Sequence, residues 1–250
     1  MAESIVNAEN LSLKIWGNTI LNSVNLTVND GEITCLVGES GSGKSTFVST
    51  ILGLLPRGGV ISQDSLIEFK GDSIFSIYQD PMNSFNPSIK VGKQMYDMAE
   101  GYGRISKFEF LSEITDIMLR LRFSEPELVL EKYPFELSGG MLQRLMIATA
   151  ILVKPDLVIA DEPTTALDVS IQKEIMKEFR QMNKSYGMAI LVVTHDFGVV
   201  AELADQVIIM QNGRVVESGD VFKVFDHPEE DYTKRLLEAS FTFEEEGGLL

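Results

Sequence analysis

The sequence predicts an α/β fold: a mainly parallel sheet flanked by helices, an N-terminal antiparallel β-subdomain and a helical insert. Three observations predict it. Four short runs, 33–37, 157–160, 189–193 and 207–210, are almost wholly apolar, as strands buried on both faces of a parallel sheet are. Residues 11–34 alternate instead, as in Val24-Asn-Leu-Thr-Val28. They carry turn signals at Trp16-Gly-Asn18 and Asn29-Asp-Gly31 and read as antiparallel hairpins. Residues 92–132 hold no buried-strand run and show helical spacing at Phe108, Leu111, Ile114 and Met118. Within them Ser124-Glu-Pro-Glu127 predicts a helix start, with Ser124 as N-cap, Pro126 in the first turn and Glu127 closing a capping box. These helices are either an insert in the α/β frame or one more layer on its sheet.

Composition sets the class. The chain has 250 residues, 44% of them hydrophobic and 23% charged, which suits a large globular domain and opposes wholesale disorder. No apolar run approaches the roughly 18 residues that span a bilayer. The first residues show no basic-then-apolar secretory signal. A single cysteine, Cys35, excludes an internal disulfide framework and a four-cysteine metal or iron–sulfur site, and fits a reducing compartment. With 21 basic and 37 acidic residues the net charge is −16, which argues against nucleic acid or an anionic lipid surface as partner. The acidic end at 241–250 reads as a solvated, poorly ordered tail.

Two motifs carry chemistry on their own spacing. Gly38, Glu39, Ser40, Gly41, Ser42, Gly43, Lys44, Ser45 and Thr46 fit G-x-x-x-x-G-K-[ST] between an apolar strand and a helical pattern (Phe47, Val48, Ile51, Leu52). The glycines let backbone N–H groups turn toward a β-phosphate at a helix N-terminus. Lys44 then reaches the β/γ-phosphates of ATP and the Ser45 hydroxyl ligates Mg²⁺. The strand at 157–160 ends in Asp161 and Glu162, at the edge where ligands bind in open α/β sheets. Asp161 would hold Mg²⁺, and Glu162 would polarise the attacking water as general base. A third run, Leu137-Ser138-Gly139-Gly140, opens a long helical pattern reaching about Val153 and is either an anion site or a plain N-cap.

These residues resemble the nucleotide-binding subunits of ABC transporters. Leu137-Ser-Gly-Gly140 is similar to that family's signature. The order is also the family's: phosphate loop, Gln79 in Tyr78-Gln-Asp-Pro81, signature, Asp161-Glu162, a D-loop-like Ala166-Leu-Asp168, and a switch-like His195 in Thr194-His-Asp196. The likeness runs from about residue 5 to 238. It implies a RecA-like P-loop NTPase core (1–82 and 137–240) with an inserted ABC α-helical subdomain (83–136), together one nucleotide-binding domain over 1–240. It further implies that Trp16 stacks on adenine, that Gln79 contacts Mg²⁺ or the attacking water, and that His195 contacts the γ-phosphate. Ser138, Gly139 and Gly140 would serve the nucleotide of a second subunit, and Asp168 would belong to the nucleotide-binding set.

Within the family, the run from Tyr78 to Pro87 resembles the dipeptide/oligopeptide/nickel importer branch. Residues 133–144 and 160–165 are most similar to its nickel and metal–metallophore ATPases. The implied partners are two membrane permease subunits, a second identical or similar ATPase in a head-to-tail dimer, and an extracytoplasmic substrate-binding protein. The implied place is the cytoplasmic face of the cell membrane. The cargo is then a transition metal such as nickel or cobalt, as a chelate, with a peptide as alternative. An ABC-type ATPase uncoupled from transport is the rival of another class. Two departures from the branch stand out: Glu230 and Asp231 where His-Pro is usual before Tyr232-Thr233, and a short segment between Leu55 and Gln79.

Overall fold

The computed structural model describes residues 3–103, 105–164 and 167–247, with side chains as far as residue 240. The chain divides into two compact units, Met1–Gly71 with Ala189–Leu250, and Asp72–Met188.

In the first unit the N-terminal alternation folds as expected. β1 (Ser4–Ile15) and β2 (Asn18–Asn29) pair antiparallel, from Ile15 opposite Asn18 to Ser4 opposite Asn29. Their turn, Trp16-Gly17, has positive φ at both residues (51° and 84°), the two-residue geometry that matches strand twist. The second expected hairpin does not form. After Asn29-Asp-Gly31 the chain enters β3 (Ile33–Val37), which pairs parallel with two later strands instead of folding back on β2. The reason is composition: every residue of β3 is buried, so it has no solvent face to offer an amphipathic hairpin. α1 (Lys44–Ile51) follows, then β4 (Gly59–Ile61) and β5 (Leu66–Phe69), both antiparallel to β1.

The second unit opens with β6 (Ile74–Ile77) and then runs through helices: α2 (Val91–Tyr102), α3 (Lys107–Arg120), α4 (Pro126–Leu130) and α5 (Gly139–Val153). β7 (Leu157–Asp161) lies parallel to β6, and α6 (Val169–Tyr186) completes the unit. Helical content over 92–132 is as expected, but two details differ. Ile114 and Met118 are buried while Phe108 and Leu111 are exposed; the buried stripe of α3 is Phe110, Ile114, Ile117 and Met118. The stripe is thus set one step from the predicted one, because Phe110 turns inward against Tyr96 of α2, with ring centroids 5.4 Å apart. Ser124 is not an N-cap either. The fixed φ of Pro126 starts α4 at that residue, leaving Glu125 as an N-cap whose side chain makes no capping bond. The capping box belongs to α3: Ser106 Oγ accepts from Glu109 N–H at 3.2 Å, and Glu109 Oε2 accepts from Ser106 N–H at 3.0 Å.

Back in the first unit come β8 (Ala189–Thr194), α7 (Phe197–Leu203), β9 (Gln206–Gln211), β10 (Arg214–Asp220), α8 (Val221–Asp226) and α9 (Asp231–Gly247). β3 sits between β8 and β9, parallel to both, and β10 closes on β9 through a tight turn at Asn212-Gly213, both at positive φ. α9 runs on through Gly247. Residues 248–250 lie outside the described ones.

The two serines separate the two accounts of the helix starts. Ser106→Ala is expected to cost about 1 kcal/mol of stability, and Ser124→Ala less than about 0.5 kcal/mol. Urea denaturation of both variants checks this, and the reverse order would contradict the assignment of the cap.

Candidate functional site

The phosphate-loop residues lie in the first unit, between β3 and α1. Three of them occupy backbone conformations reserved in practice for glycine: Gly38 (φ 156°), Gly41 (φ 81°) and Gly43 (φ 105°). At Gly38 the restriction is also one of space, since a Cβ there would sit 2.2 Å from the carbonyl oxygen of Met210 in β9. Lys44 is buried and its ammonium folds back over the loop, donating to the carbonyls of Gly38 (2.6 Å) and Glu39 (3.0 Å) and lying 3.5 Å from Ser42 Oγ. Ser45 is exposed in the first turn of α1.

Two neighbours fix the loop from outside, and neither stood out in the sequence reading. Gly213 N–H donates to the Ser42 carbonyl at 2.8 Å, and Glu39 N–H donates to the Tyr232 hydroxyl at 3.2 Å. Asn212-Gly213 is a strong two-residue hairpin signal that could have pointed to the first. Tyr232 is buried at the start of α9, and burial raises its hydroxyl pKa. That helix start is clasped by Glu217 of β10, whose carboxylate accepts from Glu229 N–H (2.8 Å) and Glu230 N–H (3.1 Å). The departure from the branch pattern at Glu230 and Asp231 therefore leaves this clasp in place. Asp231 adds an acid in the first helical turn, where the helix dipole favours one.

Trp16 and His195 belong to the same unit. Trp16 holds a left-handed conformation at the hairpin turn, its N–H donating to the Gly58 carbonyl at 3.2 Å. One side of its indole lies so close to Gly58 that a Cβ would come within 2.6 Å of the ring, yet the side chain is 73% exposed. An apolar ring this exposed is a platform open to a flat partner. His195 is exposed directly after β8, and Asp196 behind it caps α7 by accepting from Gly198 N–H (2.8 Å) and Val199 N–H (3.3 Å).

The second unit carries Gln79, the signature and the acid pair. Asp161 ends β7, half-buried. Glu162 follows at φ 48°, a left-handed conformation that costs a non-glycine residue about 1 kcal/mol or more. Two amides hold it: Gln79 Nε2 is 3.4 Å from Glu162 Oε2, and Gln143 Nε2 donates to the Glu162 carbonyl at 3.2 Å. Gln79 and Glu162 are thus brought together; Gln143 was not foreseen. Its signal is legible afterwards, as a buried amide in a mostly apolar helix.

Ser138 caps α5, its Oγ accepting from Met141 N–H at 3.3 Å, and Gly139 leaves open space beside it. Arg144, one turn on, fastens this helix to the end of α3. It donates to the carbonyls of Leu121 (2.9 Å) and Arg122 (3.3 Å), and its guanidinium lies 4.4 Å from the Phe123 ring centroid. Burial lowers its pKa. Asp168 caps α6, accepting from Ser170 Oγ (2.8 Å), Ser170 N–H and Ile171 N–H (both 3.1 Å); these bonds, the hydroxyl's first, hold its carboxyl below the usual range. Ala166, the first residue of the D-loop-like run, and Thr165 before it lie outside the described residues.

Comparison with known proteins supplies the family. Residues 21–165 match the model of the ABC transporter family. The metal-staphylopine import system ATP-binding protein CntD of Staphylococcus aureus is 39% identical over 232 residues, covering 87% of this chain and 86% of its own length. The oligopeptide transport ATP-binding protein OppD of Lactococcus lactis is 36% identical over 258 residues, covering 96% of this chain and 76% of its own. Among solved structures, the dimeric post-hydrolysis state of an ATP-binding cassette bound to ADP and Pi superposes with a TM-score of 0.72 at 27% identity, covering 86% of this chain and 98% of that one. The fold is that of the ABC ATPase cassettes, and the chain belongs to the ABC transporter family as an ATP-hydrolysing, ATP-binding subunit of its importer branch.

Proposed function

We propose that Gly38 to Thr46 bind the phosphates of ATP and that Glu162 is the general base of its hydrolysis. The observation that carries this is Lys44: a buried ammonium held on loop carbonyls, a cation in place for an anionic ligand in a chain of net charge −16. On nucleotide binding Lys44 would exchange those carbonyls for β/γ-phosphate oxygens, beside loop N–H groups and the N-terminus of α1. Glu162 takes the proton of the attacking water, Gln79 orients that water, and His195 contacts the γ-phosphate. Trp16 stacks on adenine. Ser45, Gln79 and Asp161 offer hard oxygen donors of the kind Mg²⁺ takes, and the ion, when bound, neutralises charge on the β/γ-phosphates.

The same reading makes residues 83–136 a helical subdomain and pairs two ATPase subunits head to tail, with Ser138, Gly139 and Gly140 meeting the nucleotide of the opposite one and Asp168 in the nucleotide-binding set. The dimer would sit on two permease subunits at the cytoplasmic face of the membrane, fed by an extracytoplasmic binding protein. Among the described residues no helix is long and apolar enough to cross a membrane itself. For cargo we propose a transition metal such as nickel or cobalt, carried as a chelate; CntD, named for metal-staphylopine import, supports it. A peptide is the second reading, supported equally by the oligopeptide relative.

Three outcomes follow. Glu162→Gln keeps size and hydrogen bonding but removes the base; ATP binding survives and turnover falls about 10²–10⁴-fold, measured by phosphate release. Lys44→Ala weakens ATP binding roughly 10- to 100-fold by calorimetry, and unchanged affinity contradicts the phosphate-loop assignment. A strain lacking the chain loses uptake of chelated radioactive nickel or cobalt. Normal metal uptake with lost growth on short peptides transfers the assignment to peptide import.

A further inference from the structure

Helix α5 is apolar from Leu145 to its end, save Thr149, whose hydroxyl bonds back to the Leu145 carbonyl at 2.8 Å. Gln143, earlier on the same helix, is 1% exposed. Its Nε2 donates to the Glu162 carbonyl at 3.2 Å, while its Oε1 is buried without a hydrogen-bond partner. Methionine or leucine would fill this place without burying an unpaired side-chain oxygen. What the amide adds is the single bond to Glu162. That bond falls on the peptide group of a residue in a left-handed conformation, whose carboxylate faces Gln79.

A residue at φ 48° is kept there by its surroundings, not by its own preference. Releasing its carbonyl lets the peptide plane turn, and the direction of the Glu162 side chain turns with it. Gln143 is also rigidly joined to Ser138, Gly139 and Gly140, because Ser138 is the N-cap of the same helix and Arg144 fastens that helix to α3.

We propose that Gln143 is a positioning residue for Glu162. Its amide fixes the backbone turn that aims the carboxylate, and it ties that aim to the helix carrying the signature. This rests on the reading of Glu162 as general base. A shift of α5, when Ser138 to Gly140 engage a nucleotide on a second subunit, then reaches the base of the chain's own site through one hydrogen bond.

The test is Gln143→Met, which keeps the length and removes the donor, with Gln143→Leu as a second apolar variant should the first fold poorly. Steady-state MgATP hydrolysis by the full chain is expected to show kcat reduced about 10- to 100-fold with KM changed less than about twofold. The thermal midpoint should change little, since the substitution removes the unpaired Oε1 while releasing one carbonyl. In a Glu162→Gln background the same substitution should leave the residual single-turnover rate unchanged within about twofold. A wild-type kcat in Gln143→Met and Gln143→Leu overturns the proposal. So does an equal fold-loss with and without Glu162, which marks a general structural effect. Wild-type turnover in Glu162→Gln alone overturns the base assignment, and the positioning role with it. A dead Glu162→Gln beside a fully active Gln143→Met removes only the role of Gln143.

Discussion

Backbone packed on backbone with no room for a side chain shapes the loop between β3 and α1, and much of the first unit follows from that constraint. Gly38 lies against the carbonyl of Met210, and Gly213 lies so close to β2 that a Cβ would sit 2.1 Å from the Ile20 carbonyl oxygen. Gly213 in turn donates to Ser42, so hairpin β1–β2, strand β9 and the phosphate loop are in backbone contact with no room for a methyl group between them. The three apolar strands β3, β8 and β9 supply the rigid frame beneath, and Tyr232 reaches the loop from the far end of the chain. A loop confined on so many sides has little conformational freedom left to lose on binding.

The second unit meets a different demand, holding a carboxylate in a conformation it would not choose. Glu162 stands in the left-handed region between an amide on its side chain and an amide on its carbonyl. Both amides come from segments that the family likeness connects to the site, Gln79 through Mg²⁺ or the attacking water and the helix of Gln143 through the signature. On the proposed role of Glu162 as base, its aim would be open to influence from both directions.

Much of this was legible in the residues. The four buried runs, the two-residue turn at Trp16, and the phosphate loop between strand and helix all follow from local pattern, because each depends on burial or on glycine over a few residues. What failed to show had non-local causes. Ser124 looks like a cap, but Pro126 sets the helix start; the helical stripe of α3 is decided by where Tyr96 packs on another helix. Which strands β3 pairs with was not legible, since its partners lie more than 150 residues further along the chain. Of the site, the residues bearing chemistry were visible as types in sequence, whereas Gln143, Gly213 and Tyr232 act through single contacts that only the fold creates.

The central claim is that each catalytic site joins the phosphate loop of one subunit to the signature of another, and mixing two defective chains tests it most directly. A Ser138→Arg chain keeps its phosphate loop but offers a blocked signature. A Lys44→Ala chain offers an intact signature but a defective loop. Each alone should be nearly inactive. Mixed in equal amounts, they should recover hydrolysis in a concentration-dependent way, because one of the two sites in the mixed dimer is then built from intact parts. If Ser138→Arg alone hydrolyses ATP at the wild-type rate, or if both chains are folded and inactive and their mixture recovers nothing, the account is contradicted.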